Sequence, residues 1–326
     1  MAAIKGFDST GSWFNGNLHS HTNASDGTLD PGTMSDIYRE NGYSFLCISD
    51  HDIYTDFRRE LNSDSFIILP GVEHSVALFS ADGSHRLKLH HIHGILGTEE
   101  MQKSAPLPPF RHLEAIPVPK FFGEWDGAKA AQDAADMLAS HGCITTYNHP
   151  VWSRVDRDEF VNLKGIAALE IYNFGTVEDS NTGYDTTYWD YMLRRGDRVN
   201  AFASDDNHNG TYDDSLGGWI MVNAPSLTHD NIIEAIIKGN YYSSSGPEIF
   251  DFYVDRDTVS VSCSKVQRVN FIVGNVICDG MAVHGKKGEN SLSHAQYKLK
   301  GHESYVRVEC VDGSGRMAWS NPIYLK

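Results

Sequence analysis

Histidine and carboxylate groups recur along the first two thirds of the chain at spacings that suit metal binding. His19-Ser20-His21 is followed by Asp26. Then come Asp50-His51-Asp52, Glu73-His74, His90-His91-Ile92-His93, Asn148-His149-Pro150 and Asp205-Asp206-Asn207-His208. On an extended segment side chains alternate between two faces with a period of two. His19 and His21 therefore share a face, as do Asp206 and His208, and each pair can reach one ion. By the same alternation His74 points away from Glu73. His91 and His93 share a face and His90 points away from it. Neutral imidazole together with carboxylate suits zinc, iron or manganese. The candidate ligands outnumber what one four- or six-coordinate ion can use, so two to three divalent metal ions sharing bridging carboxylates are expected. His85, His112, His229, His284, His294 and His302 fall outside this pattern and read as solvated or structural.

The groups fall on or near the ends of strand candidates. These are 16–21, 44–49, 65–69, 87–95, 142–147, 166–172 and 198–203. The sixth, running into Glu170 and Asn173, lacks a histidine and reads as support for the ligands. Helical signals lie between the strands: Asp30-Pro31 to Gly42, Gly127 to Ser140, Tyr184 to Arg195 and Asp230 to Lys238. Strand–helix alternation predicts an α/β barrel or a doubly wound sheet. In a barrel, strand C-terminal ends converge on one rim, where active sites are built. From Ile249 the texture changes to short alternating runs with Gly/Asp/Ser turns, which predicts a small C-terminal antiparallel β-sandwich domain. The expected division is 1–248 and 249–326, with a boundary near Ser245-Gly246-Pro247. Residues 99–124 hold five of the eleven prolines, which suits a lid or a disordered insertion.

Composition narrows the class. With 326 residues and 40% hydrophobic residues the chain can bury a sizeable core. A formal net charge of −16 argues against a nucleic-acid binder that works by neutralising phosphates. The five cysteines are widely spaced and form no CxxC, which fits neither a disulfide framework nor a zinc ribbon; Cys47 and Cys143 read as small core residues. The first residues, MAAIKGFDSTGSWFNG, show no apolar leader, and no apolar run approaches the length of a membrane span. A cytoplasmic protein without a membrane partner is expected.

The runs LHSHTNASDGTLDP, CISDHD, GVEHS, HHIHG, NHP and SDDNH, in that order through residues 17–208, resemble the PHP (polymerase and histidinol phosphatase) domain superfamily. Gly218-Trp219, AIIKGNYYSSSGPEI and the final AWSNPIYLK look like its CehA/McbA-type metallohydrolase branch. The resemblance implies a distorted seven-stranded (β/α) barrel of TIM-like type, a trinuclear metal site and phosphoester hydrolysis. It implies that His19, His21 and Asp206 hold a first ion, with Glu73 bridging to a second. His149 and a fourth-strand histidine join the second ion. Aligning on the glycine of HHIHG favours His91, with His93 the alternative. Asp26 and His51 hold the third, with His208 shared. Many family members read Ser-Asp-x-His where this chain has Ser204-Asp205-Asp206-Asn207-His208. Same-face spacing selects Asp206 with His208 and leaves Asp205 as the alternative.

The expected chemistry is attack on phosphorus by a metal-bridging hydroxide. Ions would also invert the local field and let so acidic a chain take an anionic substrate. Arg154, just after His149-Pro150, is the expected phosphate contact, ahead of Arg111 and Lys120. Asp52 is the expected proton donor to the leaving group. The expected partner is a small phosphorylated molecule, not nucleic acid. The same ligands would serve ester, amide or carbamate hydrolysis, and a non-catalytic metal-stabilised binding module is the rival of another class.

Overall fold

The computed structural model describes residues 3–8, 10–211, 213–274 and 276–325. Part of the N-terminal run and the last residue of AWSNPIYLK lie outside the described residues. Seven strands carry the site: β1 (Ser12–Asn17), β2 (Phe45–Ile48), β3 (Ile67–Phe79), β4 (Arg86–Leu96), β5 (Cys143–Tyr147), β6 (Ile166–Asn173) and β7 (Asn200–Ser204). They lie side by side in the order β7-β6-β5-β4-β3-β2-β1 within one large sheet, which makes this a mixed α/β protein. The helices between them cover its flanks. Helix α1 (Pro31–Glu40) starts where the Asp30 carboxylate accepts from the Gly32 and Thr33 N–H groups, with proline in the first turn. Helix α2 (Gly127–Ser140) buries Ala130, Ala131, Ala134, Ala135 and Leu138 on one face. Helices α3 (Thr186–Arg195) and α4 (His229–Lys238) each end at a glycine in the left-handed region, Gly196 and Gly239.

One strand departs from the expected pattern. Neighbours from β1 to β3 and from β5 to β7 are parallel, but β4 runs antiparallel to both β3 and β5. The third strand does not end at Leu69. It continues to Phe79 and returns as β4 through a tight turn in which the Asp82 carboxylate accepts from Ser80 and Ser84. A link this short can join only antiparallel neighbours, because a parallel crossover needs about a dozen residues.

Residues 99–124 are tied down rather than loose. Glu99–Ser104 is a short helix, Glu114–Ala115 pairs with Ile53–Tyr54, and Lys120–Phe122 pairs with β3.

Beyond residue 248, Ile249–Asp255, Thr258–Val266 and Leu292–Lys298 form a sheet with Ile4–Lys5 from the N-terminus. The strands Arg268–Val273, Met281–His284, Tyr305–Val311 and Met317–Ser320 form a second antiparallel set. The two sets enclose one apolar cluster that includes Phe252, Val261, Val269, Phe271, Val308 and Cys310. The expected boundary is no break in hydrogen bonding, for Met317–Ser320 pairs with Tyr241–Ser244 and so continues the large sheet. Among the described residues no helix is long and apolar enough to cross a membrane.

Candidate metal centre

Local backbone chemistry brings the two ends of the seven-strand run together. Beyond β1 and β7, Ser20 bridges to Asn207; the Asp206 N–H donates to the His19 carbonyl at 3.0 Å and the His21 N–H to the Asn207 carbonyl at 3.2 Å. The loop after His21 is pinned by buried Asp50, which accepts from the Thr22 N–H at 2.7 Å and the Ser25 hydroxyl at 2.8 Å. Gly27 closes that loop, since a Cβ there would lie 2.6 Å from the His21 carbonyl carbon. Asp52, His149 and Asp206 all have positive φ, at 56°, 24° and 53°. Left-handed backbone in non-glycine residues concentrates at functional sites.

Glu73 occupies the centre, fully buried on β3. His19 Nε2 lies 3.2 Å from its Oε1 and 3.0 Å from Asp206 Oδ1, and His21 Nε2 lies 2.9 Å from the same Asp206 oxygen. On the other side of Glu73, His149 Nε2 is 3.2 Å from Oε1, His91 Nδ1 is 3.2 Å from Oε2 and His51 Nδ1 is 3.1 Å from Oε2. Further out, Asp26 lies 3.4 Å from His208 Nε2 and 3.7 Å from the second nitrogen of His51. The atoms of His19, His21, Glu73 and Asp206 all lie within 4.8 Å of one another, as do those of His21, Asp26, His51 and His208.

The outer nitrogens fix the tautomers. His19 Nδ1 donates to Glu170 Oε1 at 2.8 Å, and His208 Nδ1 to the Asp206 carbonyl at 2.9 Å. With Nδ1 donating, Nε2 of the neutral ring is bare and faces the cluster. His149 Nδ1 likewise contacts the Ser153 hydroxyl at 3.1 Å. Such partners on the far nitrogen orient metal-binding imidazoles. Glu170 also accepts from the His149 N–H and from the Asn173 amide, which reaches Asp206 Oδ2 at 2.9 Å. Glu170 thus anchors several candidate ligands at once, and its own carboxylate lies within 4.8 Å of ligand atoms of His19 and His149.

The residues present fit divalent cations. Glu73 Oε2, Asp206 Oδ1, His21 Nδ1 and His51 Nδ1 are buried without a hydrogen bond. Orphaned polar atoms of this kind are costly, and a cation would answer them. The groups already act on one another's charge. Burial alone would raise Glu73 and Asp206, but the surrounding imidazoles, His19 foremost, hold both carboxyls well below the usual range. Burial disfavours protonated His149 and His208, yet their carboxylate neighbours push both up to about 9. His91 goes the other way, to about 4, because burial outweighs the pull of Glu73.

Most of the sequence candidates meet here. His19, His21, Asp26, His51, Glu73, His91, His149, Asp206 and His208 form one connected set. His93, the alternative to His91, lies deeper at the same cluster, with both ring nitrogens buried and without a hydrogen bond among the described residues. Antiparallel β4 pairs His91 with Ser75, which lines the open cavity, and His93 with Glu73, one step further in. The His93 ring sits edge-on against His19 at 4.3 Å and belongs to none of the ligand clusters among the described residues. Asp205 turns away. It accepts from the Tyr38 hydroxyl and from the N–H groups of Leu216, Gly217 and Gly218, and burial pushes its carboxyl up to about 6.

A cavity of about 690 Å³ opens over the cluster. Arg154 is exposed but does not line it, and neither do Arg111 or Lys120. The arginine that does line it is Arg86, at the start of β4, beside Leu89 and Trp152. Reading β4 as parallel places its start at the far end of the site, which is why sequence reasoning passed over Arg86. Asp52 lines the same cavity, its Oδ1 held by His74 Nδ1 at 2.9 Å and the Ser75 N–H at 2.7 Å. None of residues 99–124 lines it, so that segment is not a lid over the metals.

No family model and no curated protein matches the sequence. Among solved structures the chain is similar to a two-domain protein containing a predicted PHP-like metal-dependent phosphoesterase from Bacteroides vulgatus ATCC 8482, at 13% identity over 97% of both chains with a TM-score of 0.48. It is also similar to the lesion-specific endonuclease EndoQ from Pyrococcus furiosus, at 14% identity over 70% of this chain and 56% of that one, TM-score 0.41. An amidohydrolase from Chromobacterium violaceum is 16% identical over 70% of this chain and 97% of its own, TM-score 0.40. At such identities and scores these likenesses assign no activity to this chain. The buried His/Glu/Asp cluster itself fits a metal-dependent hydrolase.

Proposed function

We propose that the chain is a PHP-type phosphoesterase that cleaves small phosphate mono- or diesters at two to three divalent ions, zinc, manganese or iron. The observation that carries this reading is Glu73. One buried carboxylate faces His19, His21, His51, His91 and His149, with ligand clusters on both of its sides. His19, His21 and Asp206 would hold a first ion and share Glu73 with a second at His91 and His149. Asp26, His51 and His208 would hold a third. Bound ions supply a hydroxide nucleophile at neutral pH and offset the charge that gathers on the ester oxygens. The chain supplies the rest. Arg86 has no ion pair among the described residues and meets an anionic oxygen of the substrate at the rim. Trp152 flanks the organic group. Asp52, with Oδ1 fixed by two donors, keeps Oδ2 for a proton to the leaving oxygen. The seven-strand run is read as a distorted barrel, with residues 249–326 as an appended sandwich. Gly218-Trp219 and the terminal run support the CehA/McbA-type branch.

The test is a substrate panel on the metal-reconstituted protein: p-nitrophenyl phosphate, its bis ester and nucleotides against an aryl ester and a carbamate. Phosphoester turnover is expected, with loss of that turnover in His19→Ala and His149→Ala. Turnover confined to the ester or carbamate would refute the reading, as would full activity in either variant.

A further inference from the structure

A second cavity, of about 460 Å³, shares no lining residue with the metal cavity. It lies between residues 110–121 of the Pro-rich segment and helix α2. Its walls are apolar: Phe110, Ile116, Phe121, Ala130, Ala134 and Met137. Two alanines on the facing helix leave the room, and the volume lies in the range of small-molecule sites. Two imidazoles line it, His141, whose Nδ1 donates to the Pro108 carbonyl at 2.7 Å, and the more deeply buried His74. His74 is 1% exposed, lines the cavity, and sits on the opposite face of β3 from Glu73. Its Nδ1 donates to Asp52 Oδ1 at 2.9 Å, an oxygen that also accepts from the Ser75 N–H. With Nδ1 carrying the proton, Nε2 of the neutral ring is an acceptor, and it has no protein partner among the described residues. The rim carries the carboxylates of Glu114 and Asp133, which disfavour an anion.

We propose that this cavity binds a small aromatic molecule bearing a hydrogen-bond donor, of the phenol or aryl-amine type. The ring packs between the Phe110–Phe121 wall and α2, and the donor meets His74 Nε2. The wall is joined to the metal-bearing turn. The Ile116 N–H donates to the Asp52 carbonyl at 2.8 Å, and Ala115 pairs with Ile53. An occupant therefore braces the turn that carries His51, from outside the metal cavity.

The test is calorimetric titration of the full metal-reconstituted chain with 2-naphthol, 2-naphthylamine, 2-methoxynaphthalene and 2-naphthoate. Saturable one-to-one binding of the naphthol or the amine is expected. The methoxy compound, which lacks the donor, should bind about tenfold more weakly, as one lost hydrogen bond implies. The naphthoate should bind more weakly than the naphthol. Ala134→Phe fills the cavity and should abolish binding while metal content and thermal unfolding stay unchanged; Ala130→Leu is the second variant should the first not fold. Binding that survives in the folded variants, equal affinity for the methoxy compound, or no saturable binding to the parent protein would each overturn the proposal. Turnover is not read, so the result stands apart from the hydrolase reading.

Discussion

Glu170 is the most exacting place to test the centre, because all four of its donors are known and two of them belong to candidate ligands. Its Oε1 takes the protons of His19 Nδ1 and the Ser204 hydroxyl; its Oε2 takes the His149 N–H and the Asn173 amide. Glu170→Gln keeps the shape but retains one oxygen. With that oxygen towards His19, the new amide N–H₂ confronts two donors, His149 and Asn173, and each buried donor left unpaired costs about 1–3 kcal/mol. With the amide turned round, His19 must accept at Nδ1 and carry its proton on Nε2, the atom 3.0 Å from Asp206 and 3.2 Å from Glu73. That tautomer cannot bind a cation. Either orientation should weaken metal affinity by about 10–100-fold, the usual effect of losing a partner of this kind. Chelator competition on the refolded variant measures it, with circular dichroism as the check on fold. Unchanged metal affinity in a folded Glu170→Gln protein would refute the tautomer argument.

Metal uptake should strengthen as pH rises. His149 and His208 have folded values near 9, above their ordinary 6.5, so ions must displace their protons, at about tenfold in affinity per pH unit for each proton released. By the same linkage these imidazoles stabilise the metal-free fold fully below pH 6.5, and that stability is lost as pH rises through 9. Melting curves with and without zinc at pH 6.5 and 9 check both, and uptake that weakens at high pH would contradict the assignment. Arg86→Ala should raise the KM for a phosphomonoester with little change in metal content; an unchanged KM removes Arg86 from the substrate site. Fully buried Arg307 binds Asp190 at 2.7 Å and Glu309 at 2.9 Å, tying α3 to strand Tyr305–Val311. Arg307→Met leaves both carboxylates without their cation and should cost about 3 kcal/mol in denaturant unfolding, while replacing Arg307, Asp190 and Glu309 together by apolar residues recovers most of it.

That the candidate ligands would cluster was legible because their spacing carries part of the geometry. Period two pairs His19 with His21 and Asp206 with His208, although all four lie just beyond the ends of β1 and β7 and Asp206 has left-handed backbone. Helix α2 was equally legible, since its alanine-rich face and closing glycine are local signals. What the sequence concealed is direction. The run from Val72 to Phe79 alternates less clearly than the strand before it, and the Asp82-Gly83 turn that makes β3 and β4 a hairpin is a short-range signal easily read as a loop end. Missing that turn misplaces every rim residue on β4. It hides Arg86 and leaves His91 and His93 equivalent, because face alone cannot rank two residues that differ only in depth. Asp205 was ambiguous for a different reason. Its four donors come from Tyr38 and from the loop at Leu216–Gly218, and neither is near it in sequence.

The same reversal of β4 bears on how an acidic chain would hold an anionic substrate. Asp26, Asp52, Glu178, Asp179, Asp206, Asp213 and Asp214 all line the metal cavity, and Arg86 is the arginine or lysine among its lining residues. A single rim arginine in water contributes modestly against so many carboxylates. The inner ones are already engaged by imidazoles, which cations would displace. Divalent ions therefore have two tasks in the proposed enzyme, reversing the sign of the cavity floor and activating water, and the first is a condition for the second. Arg86 then orients an anion that the ions attract. Chelation should accordingly abolish binding of inorganic phosphate as well as turnover, whereas Arg86→Ala should weaken phosphate binding without abolishing it. Tight phosphate binding by the chelated chain would mean that the floor is not negative as these carboxylates require.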